Sequence, residues 1–340
     1  MPLPSFDYLQ PQTVDEACTL LAQPGTKAMA GGTDLLVKLK QGTIAAQTVV
    51  SLKSIPHLDL IEPGADGGLT IGALATLHSV ATSPLVRERC ALLATAAGSA
   101  GRPRVPYMGT LGGNLCLEGR CFYYNQSAQW KQSVLPCYKN GGDRCHVAKG
   151  SEHCNALFVA DTAPALVALD AELTVASAQG ETRLPVAALY PGTGEPTNSL
   201  AAGQVLTQVR VPTLPAHSAG VYLRYSPRQA IDFAVVSAAV VLRLDPAAGT
   251  CSQARIVLGS VGPGPLRAGD AEALLTGRRL DETVARAAAA AAAAQARPLG
   301  HLGFSAGYKR TLIQTLVTRA VLQAWQEASS PASATKRGAS

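Results

Sequence analysis

With 340 residues, 47% hydrophobic and 15% charged, the chain can bury a sizeable core and is not disordered, and two or three domains are expected. A net charge of +6 without a dense Lys/Arg stripe argues against nucleic acid and suits an acidic protein partner at least as well. No run approaches the roughly 20 apolar residues of a membrane helix, and the opening MPLPSFDYLQPQ has neither region of a secretory signal. No membrane span and a cytoplasmic location are therefore expected.

Thr13 and Glu16 have capping-box spacing, and Val14, Ala17, Cys18 and Leu21 follow at helical intervals, so a helix is predicted after residue 13. A strand over 27–30 then runs into the glycine turn Gly31-Gly32-Thr33-Asp34 and an apolar segment at 35–40. A second α/β stretch begins with LTIGA at 69–73, continues through an Ala-rich helix near 85–100, and reaches another glycine turn at 109–114. Residues 116–155 show neither apolar period and read as an inserted loop. Regular structure resumes at 156–161, with a strand near 173–175 and a Pro/Gly-rich linker at 191–203. β-rich segments at 205–211, 235–244 and 254–258 precede helices at 281–297 and 305–328. The second of these helices presents Tyr308, Leu312, Leu316, Ala320 and Ala324, with Ile313, Val317 and Val321 alongside, as a packing face, and the tail at 329–340 is expected to be disordered.

Adjacent glycines let a chain take positive φ and approach a ligand closely, while successive N–H groups form an anion-binding nest. Ala30 to Asp34 supply one such turn, and Gly109-Thr110-Leu111-Gly112-Gly113-Asn114 supplies another with a hydroxyl and a carboxamide. Either turn alone is equally a tight strand-to-helix connection, and neither matches GxGxxG. Two in one domain point to a dinucleotide.

Eight cysteines are present, and five of them, Cys116, Cys121, Cys137, Cys145 and Cys154, lie in the loop. Such crowding points to metal or redox chemistry rather than disulfides. Cys121, Cys137, Cys145 and Cys154 are separated by fifteen, seven and eight residues, enough thiolates for one [4Fe–4S] cluster. Zinc is the alternative, although the paired Cys-x₂₋₄-Cys knuckles of zinc fingers are missing. Spacing alone leaves both open, with His146 and His153 as possible zinc ligands. Cys116 sits with the second glycine turn, and Cys18, Cys90 and Cys251 read as buried thiols. Phe122, Tyr123, Tyr124, Trp130 and Tyr138 give the loop a small core of its own and a shield for a cluster.

AGGTDLLVKLK at 30–40 and GTLGGNL at 109–115, with LTIGA, ADTAPALVALDAEL at 160–173, VLTQVRVP at 205–212 and RYSPRQAID at 224–232, resemble the FAD-binding subunits of the xanthine dehydrogenase and carbon monoxide dehydrogenase family of molybdenum enzymes. The resemblance implies an α+β fold: a two-part FAD-binding domain of the PCMH/VAO type, built of two α/β subdomains, at 1–180, interrupted by the 116–155 loop. A carbon monoxide dehydrogenase flavoprotein-like C-terminal domain of antiparallel sheet plus helices would follow at 181–328. It places Lys27, Ala28, Met29, Ala30, Gly31, Gly32, Thr33 and Asp34 around the FAD pyrophosphate, with Gly109, Thr110, Gly113 and Asn114 on its other side. Asp161 would contact the flavin nucleotide and Arg224 would lie near the isoalloxazine; without the family these two would read as a helix N-cap and a surface cation.

Ordinary flavin subunits of this family pass almost directly from GGN to the aspartate segment. The long insert here, GGNLCLEGRCFYYNQSAQWKQSVLPC and then CHVAKGSEHC, resembles that of the 4-hydroxybenzoyl-CoA reductases. That resemblance implies a [4Fe–4S] cluster on Cys121, Cys137, Cys145 and Cys154. It also implies a large molybdenum-cofactor subunit and a small subunit with two [2Fe–2S] clusters, assembled as a dimer of heterotrimers. Reduced ferredoxin would be the electron donor, with reductive dehydroxylation of 4-hydroxybenzoyl-CoA on the large subunit. Lys131, Lys139, Arg144 and Lys149 could steer an acidic ferredoxin or simply solvate the loop. The alternatives are a molybdenum hydroxylase of the same family passing electrons outward to NAD⁺ or quinone, and a zinc-stabilised nucleotide-binding module. No nucleophile–base constellation is present, so no catalytic residue is expected on this chain.

Overall fold

The computed structural model describes residues 2–101, 103–228, 230, 232–300 and 303–330. The expected tail beyond Ser330 lies outside the described residues.

The chain begins with β1 (Asp7–Leu9), α1 (Val14–Leu21), β2 (Thr26–Met29), α2 (Leu35–Gln41) and β3 (Thr48–Ser51), which form a parallel sheet in the order β1-β3-β2. Helix α1 starts where the sequence predicts. The Thr13 hydroxyl caps the helix by accepting from Glu16 N at 3.2 Å, and the Glu16 carboxylate reaches back to accept from Gln12 N, one residue before the cap, at 2.8 Å. Its buried face is Ala17, Cys18 and Leu21.

The second subdomain comprises β4 (Ile61–Pro63), β5 (Leu69–Gly72), α3 (Leu77–Thr82), α4 (Pro84–Arg89), α5 (Ala91–Ser99), α6 (Val105–Met108), α7 (Leu111–Leu115), α8 (Ala128–Gln132), α9 (Thr162–Ala168), β6 (Glu172–Ser177), β7 (Gly180–Pro185) and β8 (Val205–Val211). The strands make one sheet ordered β4-β5-β8-β6-β7. The single Ala-rich helix expected near 85–100 is instead α4 and α5, separated at Cys90, whose φ of −149° and ψ of 61° leave the helical region. The second glycine turn is also more regular than expected: Thr110 caps α7, its hydroxyl accepting from Gly113 N at 3.1 Å. The segment 156–161 carries no strand. Because β7 and β8 both pair with β6 in this sheet, we place the domain boundary after β8 rather than at residue 180.

The last unit is an antiparallel sheet of β9 (Ser218–Tyr225), β10 (Val236–Asp245), β11 (Thr250–Gly259) and β12 (Leu266–Arg267), ordered β12-β11-β10-β9, with α10 (Gly269–Leu275), α11 (Glu282–Gln295) and α12 (Ala306–Ser329). Strand β10 is apolar on both faces for a reason. Val236, Ala238, Val240 and Leu242 pack with Ile313, Val317 and Ala320 of α12, while Ala239 and Val241 join Leu92, Leu93 and Leu166 in the core of the second subdomain. A sheet covered on both sides loses the polar half of its alternation. On α12 the buried stripe is Lys309, Ile313, Leu316, Val317, Ala320, Val321, Ala324 and Ala328. Ile313, Leu316, Val317, Ala320, Val321 and Ala324 belong to the expected face, whereas Tyr308 at its start is exposed. No helix among the described residues is long and apolar enough to cross a membrane.

Candidate functional site

The first glycine turn, between β2 and α2, opens onto a cleft of about 680 Å³ lined by both glycine turns. Gly31 has no room for a side chain, since a Cβ there would lie 1.6 Å from the Met108 carbonyl oxygen. This close crossing brings the two turns together. Gly32 has φ +72°, the left-handed region where glycine carries no steric cost. The backbone N–H groups from Gly31 to Leu35 have no acceptor among the described residues, so this turn is a nest with its donors unspent. The second turn differs. Leu111 N and Gly112 N already donate to Ala75 O and Ala73 O, at 2.9 and 2.8 Å, and Gly113 N is taken by Thr110. The two turns are therefore unequal: the first offers free donors and the second provides a close-packed wall.

Lys27, Ala28, Ala30, Gly31, Gly32, Thr33, Asp34, Gly109, Thr110, Gly113, Asn114 and Asp161 all line this cleft, whereas Met29 and Arg224 do not. Three of the polar groups are partly committed elsewhere. Asn114 Oδ1 accepts from Thr162 N at 3.2 Å and Thr162 Oγ1 at 2.6 Å, which ties α7 to the start of α9. The Asp34 carboxylate is held by Lys38 Nζ at 2.8 Å and Arg120 Nη2 at 3.1 Å. Asp161 occupies the N-cap position of α9 without capping it; it accepts from the Tyr222 hydroxyl at 2.8 Å and pairs with Arg224 Nη1 at 3.2 Å. Burial pushes the Asp161 carboxyl above its usual range, against Arg224 and Tyr222, which favour the anion. The Arg224 guanidinium also donates to Ser99 O and Asp232 O. It braces the cleft wall from behind instead of facing into the cleft.

The loop at 116–155 brings its four candidate ligands together. Cys121, Cys137, Cys145 and Cys154 line one small cavity of about 10 Å³, together with Tyr123, Tyr124, Tyr138, Lys139 and His146. Each sulfur receives an N–H: Cys121 from Tyr124 N at 3.4 Å, Cys137 from Asn140 Nδ2 at 3.8 Å, Cys145 from Asn155 Nδ2 at 3.7 Å and Cys154 from Ala156 N at 3.4 Å. Such donors stabilise thiolate charge and tune iron–sulfur centres. Burial raises the Cys121 thiol, and takes Cys154 to about 11. At Cys145 burial is outweighed by the N–H groups of Ala148, Asn155 and Val147, so its thiol lies below the ordinary value. Zinc requires its ligands about 2.3 Å from a single point. Among the described residues no three Cys, His, Asp or Glu side chains converge in that way.

Cys116 lines the glycine-lined cleft and not the four-cysteine cavity; burial pushes its thiol up to about 12. Cys18, Cys90 and Cys251 are buried elsewhere. Phe122 is 67% exposed and, like Trp130, does not line the cavity, so the expected aromatic shield is carried by Tyr123, Tyr124 and Tyr138. Lys139 is likewise no surface steering group: its side chain is 1% exposed, paired to Glu118 at 3.0 Å and Glu195 at 2.9 Å. Glu118 also takes Lys38 at 2.8 Å. Burial opposes ionisation of Glu118, but Lys38 and Lys139 hold it below the usual carboxylate range. This ion-pair network and the Tyr124 ring, both on the cleft wall, were not visible in the sequence apart from the i,i+4 spacing of Asp34 and Lys38.

Two family models match consecutive parts of the chain: the FAD binding domain in molybdopterin dehydrogenase over residues 4–214, and the CO dehydrogenase flavoprotein C-terminal domain over residues 221–324. The chain belongs to the FAD-binding subunits of the xanthine and carbon monoxide dehydrogenase family of molybdenum enzymes. The carbon monoxide dehydrogenase medium chain of Hydrogenophaga pseudoflava is 29% identical over 95% of this chain and 98% of its own. The aldehyde oxidoreductase FAD-binding subunit of Escherichia coli K12 is 32% identical over 80% of this chain and 86% of its own. Among solved structures, a carbon monoxide dehydrogenase from H. pseudoflava superposes with a TM-score of 0.79 at 28% identity, covering 96% of this chain and 99% of the other. Quinoline 2-oxidoreductase from Pseudomonas putida 86 gives 0.78 at 26%, covering 97% and 100%.

The residues present fit FAD. The free donors between Gly31 and Leu35 suit a pyrophosphate, the Gly31–Met108 crossing leaves the backbone bare for close approach, and the cleft is large enough for a dinucleotide.

Proposed function

We propose that this chain is an electron-transfer subunit carrying FAD in its glycine-lined cleft and a [4Fe–4S] cluster on Cys121, Cys137, Cys145 and Cys154. It would work beside a large molybdenum-cofactor subunit and a small subunit with two [2Fe–2S] clusters, in a dimer of heterotrimers, taking electrons from reduced ferredoxin for reductive dehydroxylation of 4-hydroxybenzoyl-CoA to benzoyl-CoA. The observation that carries the cluster is the cavity walled by four thiols, each with its own N–H donor. The dehydroxylase assignment rests on the likeness of the 116–155 loop to that branch of the family.

When bound, the flavin and the cluster supply carriers able to take electrons singly. The chain's own residues do the rest. Gly31 to Leu35 donate main-chain N–H groups to a pyrophosphate, and Asp161, steadied by Tyr222 and Arg224, presents a buried acceptor to the nucleotide. Tyr123, Tyr124 and Tyr138 keep water from the sulfurs.

A second reading is an oxidative molybdenum hydroxylase passing electrons to NAD⁺ or quinone. It is favoured by the names of the relatives, which include carbon monoxide, nicotinate and xanthine dehydrogenases. Anaerobic purification with iron, sulfide, zinc and flavin analysis tests the cofactors. Cys137→Ser and Cys145→Ser should each lose the cluster's iron while retaining FAD. Zinc in place of iron, or flavin loss alone, overturns the assignment. Turnover with a low-potential donor and 4-hydroxybenzoyl-CoA, against NAD⁺ reduction in air, decides between the two readings.

A further inference from the structure

The four-cysteine cavity and the flavin-side cleft share a wall, and only Tyr124 and Lys139 line both. Lys139 follows Cys137 by two residues, yet its ammonium does not turn outward as an ordinary loop lysine would. It is buried between Glu118, Glu195 and the Thr197 hydroxyl, at 3.0, 2.9 and 3.4 Å, and lies 5.3 Å from the centre of the Tyr124 ring. From Glu118 the ion pairs continue through Lys38 to Asp34 in the first glycine turn. An unbroken line of alternating charges thus joins the loop that holds the sulfurs to the nest that faces the pyrophosphate. The line contains Lys38, Arg120 and Lys139 against Asp34, Glu118 and Glu195, so its charges cancel. Removing the Lys139 charge leaves one carboxylate uncompensated on a wall common to both sites. In a desolvated setting such a charge acts strongly on its neighbours.

We propose that Lys139 is a shared electrostatic anchor, a positioning residue whose buried ammonium sets the reduction potentials of both the flavin and the cysteine-held cluster. The proposal rests on the reading of the four cysteines as cluster ligands. Gaining an electron makes either centre more negative, so a fixed positive charge on their common wall favours reduction of both. Neutralising it shifts both potentials downward together. The same wall explains why the loop is stitched to the cleft by charges: the two centres are tuned as a pair, and the driving force between them is less sensitive to Lys139 than either potential alone.

The test is a redox titration of the purified holoenzyme, following FAD by visible absorbance and the cluster by EPR, for the wild type, Lys139→Met, Lys139→Arg and Glu118→Gln. Lys139→Met should lower both midpoints by about 59 mV or more, a tenfold change in a one-electron equilibrium. Lys139→Arg should restore them. Glu118→Gln, which removes negative charge from the same wall, should raise both and keeps the proposal testable if Lys139→Met does not fold. Iron present with both midpoints unmoved in Glu118→Gln and Lys139→Met, or only one of them moved, overturns the proposal alone. A wild-type protein with FAD but no iron overturns the cluster reading and the proposal with it.

Discussion

The Tyr222 hydroxyl, on a strand of the C-terminal sheet, donates to Asp161 Oδ1 at the mouth of α9, 2.8 Å away. One domain thus holds a cleft carboxylate belonging to the other. Arg224, two residues further along the same strand and therefore on the same face, completes the brace. The C-terminal domain contributes little to the cleft surface, yet it fixes the group that the nucleotide would meet. Burial pushes Asp161 toward protonation, and these two partners oppose that.

Tyr222→Phe removes the donor and leaves the carboxylate with Arg224 only. The expected loss is about 1.5 to 3 kcal/mol of stability, the range for a hydrogen bond to a charged group, accompanied by faster FAD release on dilution. Thermal unfolding and flavin fluorescence measure the two effects. Unchanged values for both would mean that Asp161 is held by Arg224 alone.

Gly31→Ala places a methyl 1.6 Å from the Met108 carbonyl oxygen, and the obstacle is backbone, so no rotamer relieves it. The two glycine turns must separate. FAD binding should weaken at least tenfold, about 1.4 kcal/mol, read as a fall in the flavin-to-protein absorbance ratio. Gly262→Ala is the control: a Cβ there meets nothing within 4 Å, and both flavin content and stability should match the wild type.

Much of this architecture was legible in the sequence because local chemistry announces it. The Thr13–Glu16 cap, the glycine pairs and the period-four face of the last helix are all short-range signals. The four cysteines could be gathered from their isolation in an otherwise aperiodic loop. What the sequence hid was long-range commitment. Nothing near Asn114 announces that its carboxamide oxygen is spent on Thr162, and nothing near Lys139 distinguishes it from Lys149, which the fold leaves exposed. Strand β9 was missed because its alternation is blurred: the sheet buries both faces, and Tyr222 packs with the flavin-side core while Val221 packs with the helices. The split of the Ala-rich stretch into α4 and α5 was hidden because alanine favours helix at every position and marks no break.

The last helix also buries a cation that the sequence would place in water. Lys309 is 1% exposed, sits on the packed stripe of α12, and its ammonium has no hydrogen-bond partner. Burial alone pushes its pKa down to about 8 from the ordinary 10.5. Below pH 8 both the folded and unfolded states carry the proton, and the folded state bears an unpaired buried charge. Between about 8 and 10.5 the unfolded chain keeps the proton while the folded one releases it, so stability should rise with pH across that window. Lys309→Met retains the apolar stem and removes the charge. The variant should be more stable than the wild type at pH 7, by about 3 kcal/mol as an upper value for a shift of this size, and the alkaline rise should vanish. Denaturant unfolding at pH 7, 9 and 10 measures both effects. A variant less stable than the wild type at pH 7, with no alkaline rise in the wild type, would mean that Lys309 is charged and paired in the folded protein.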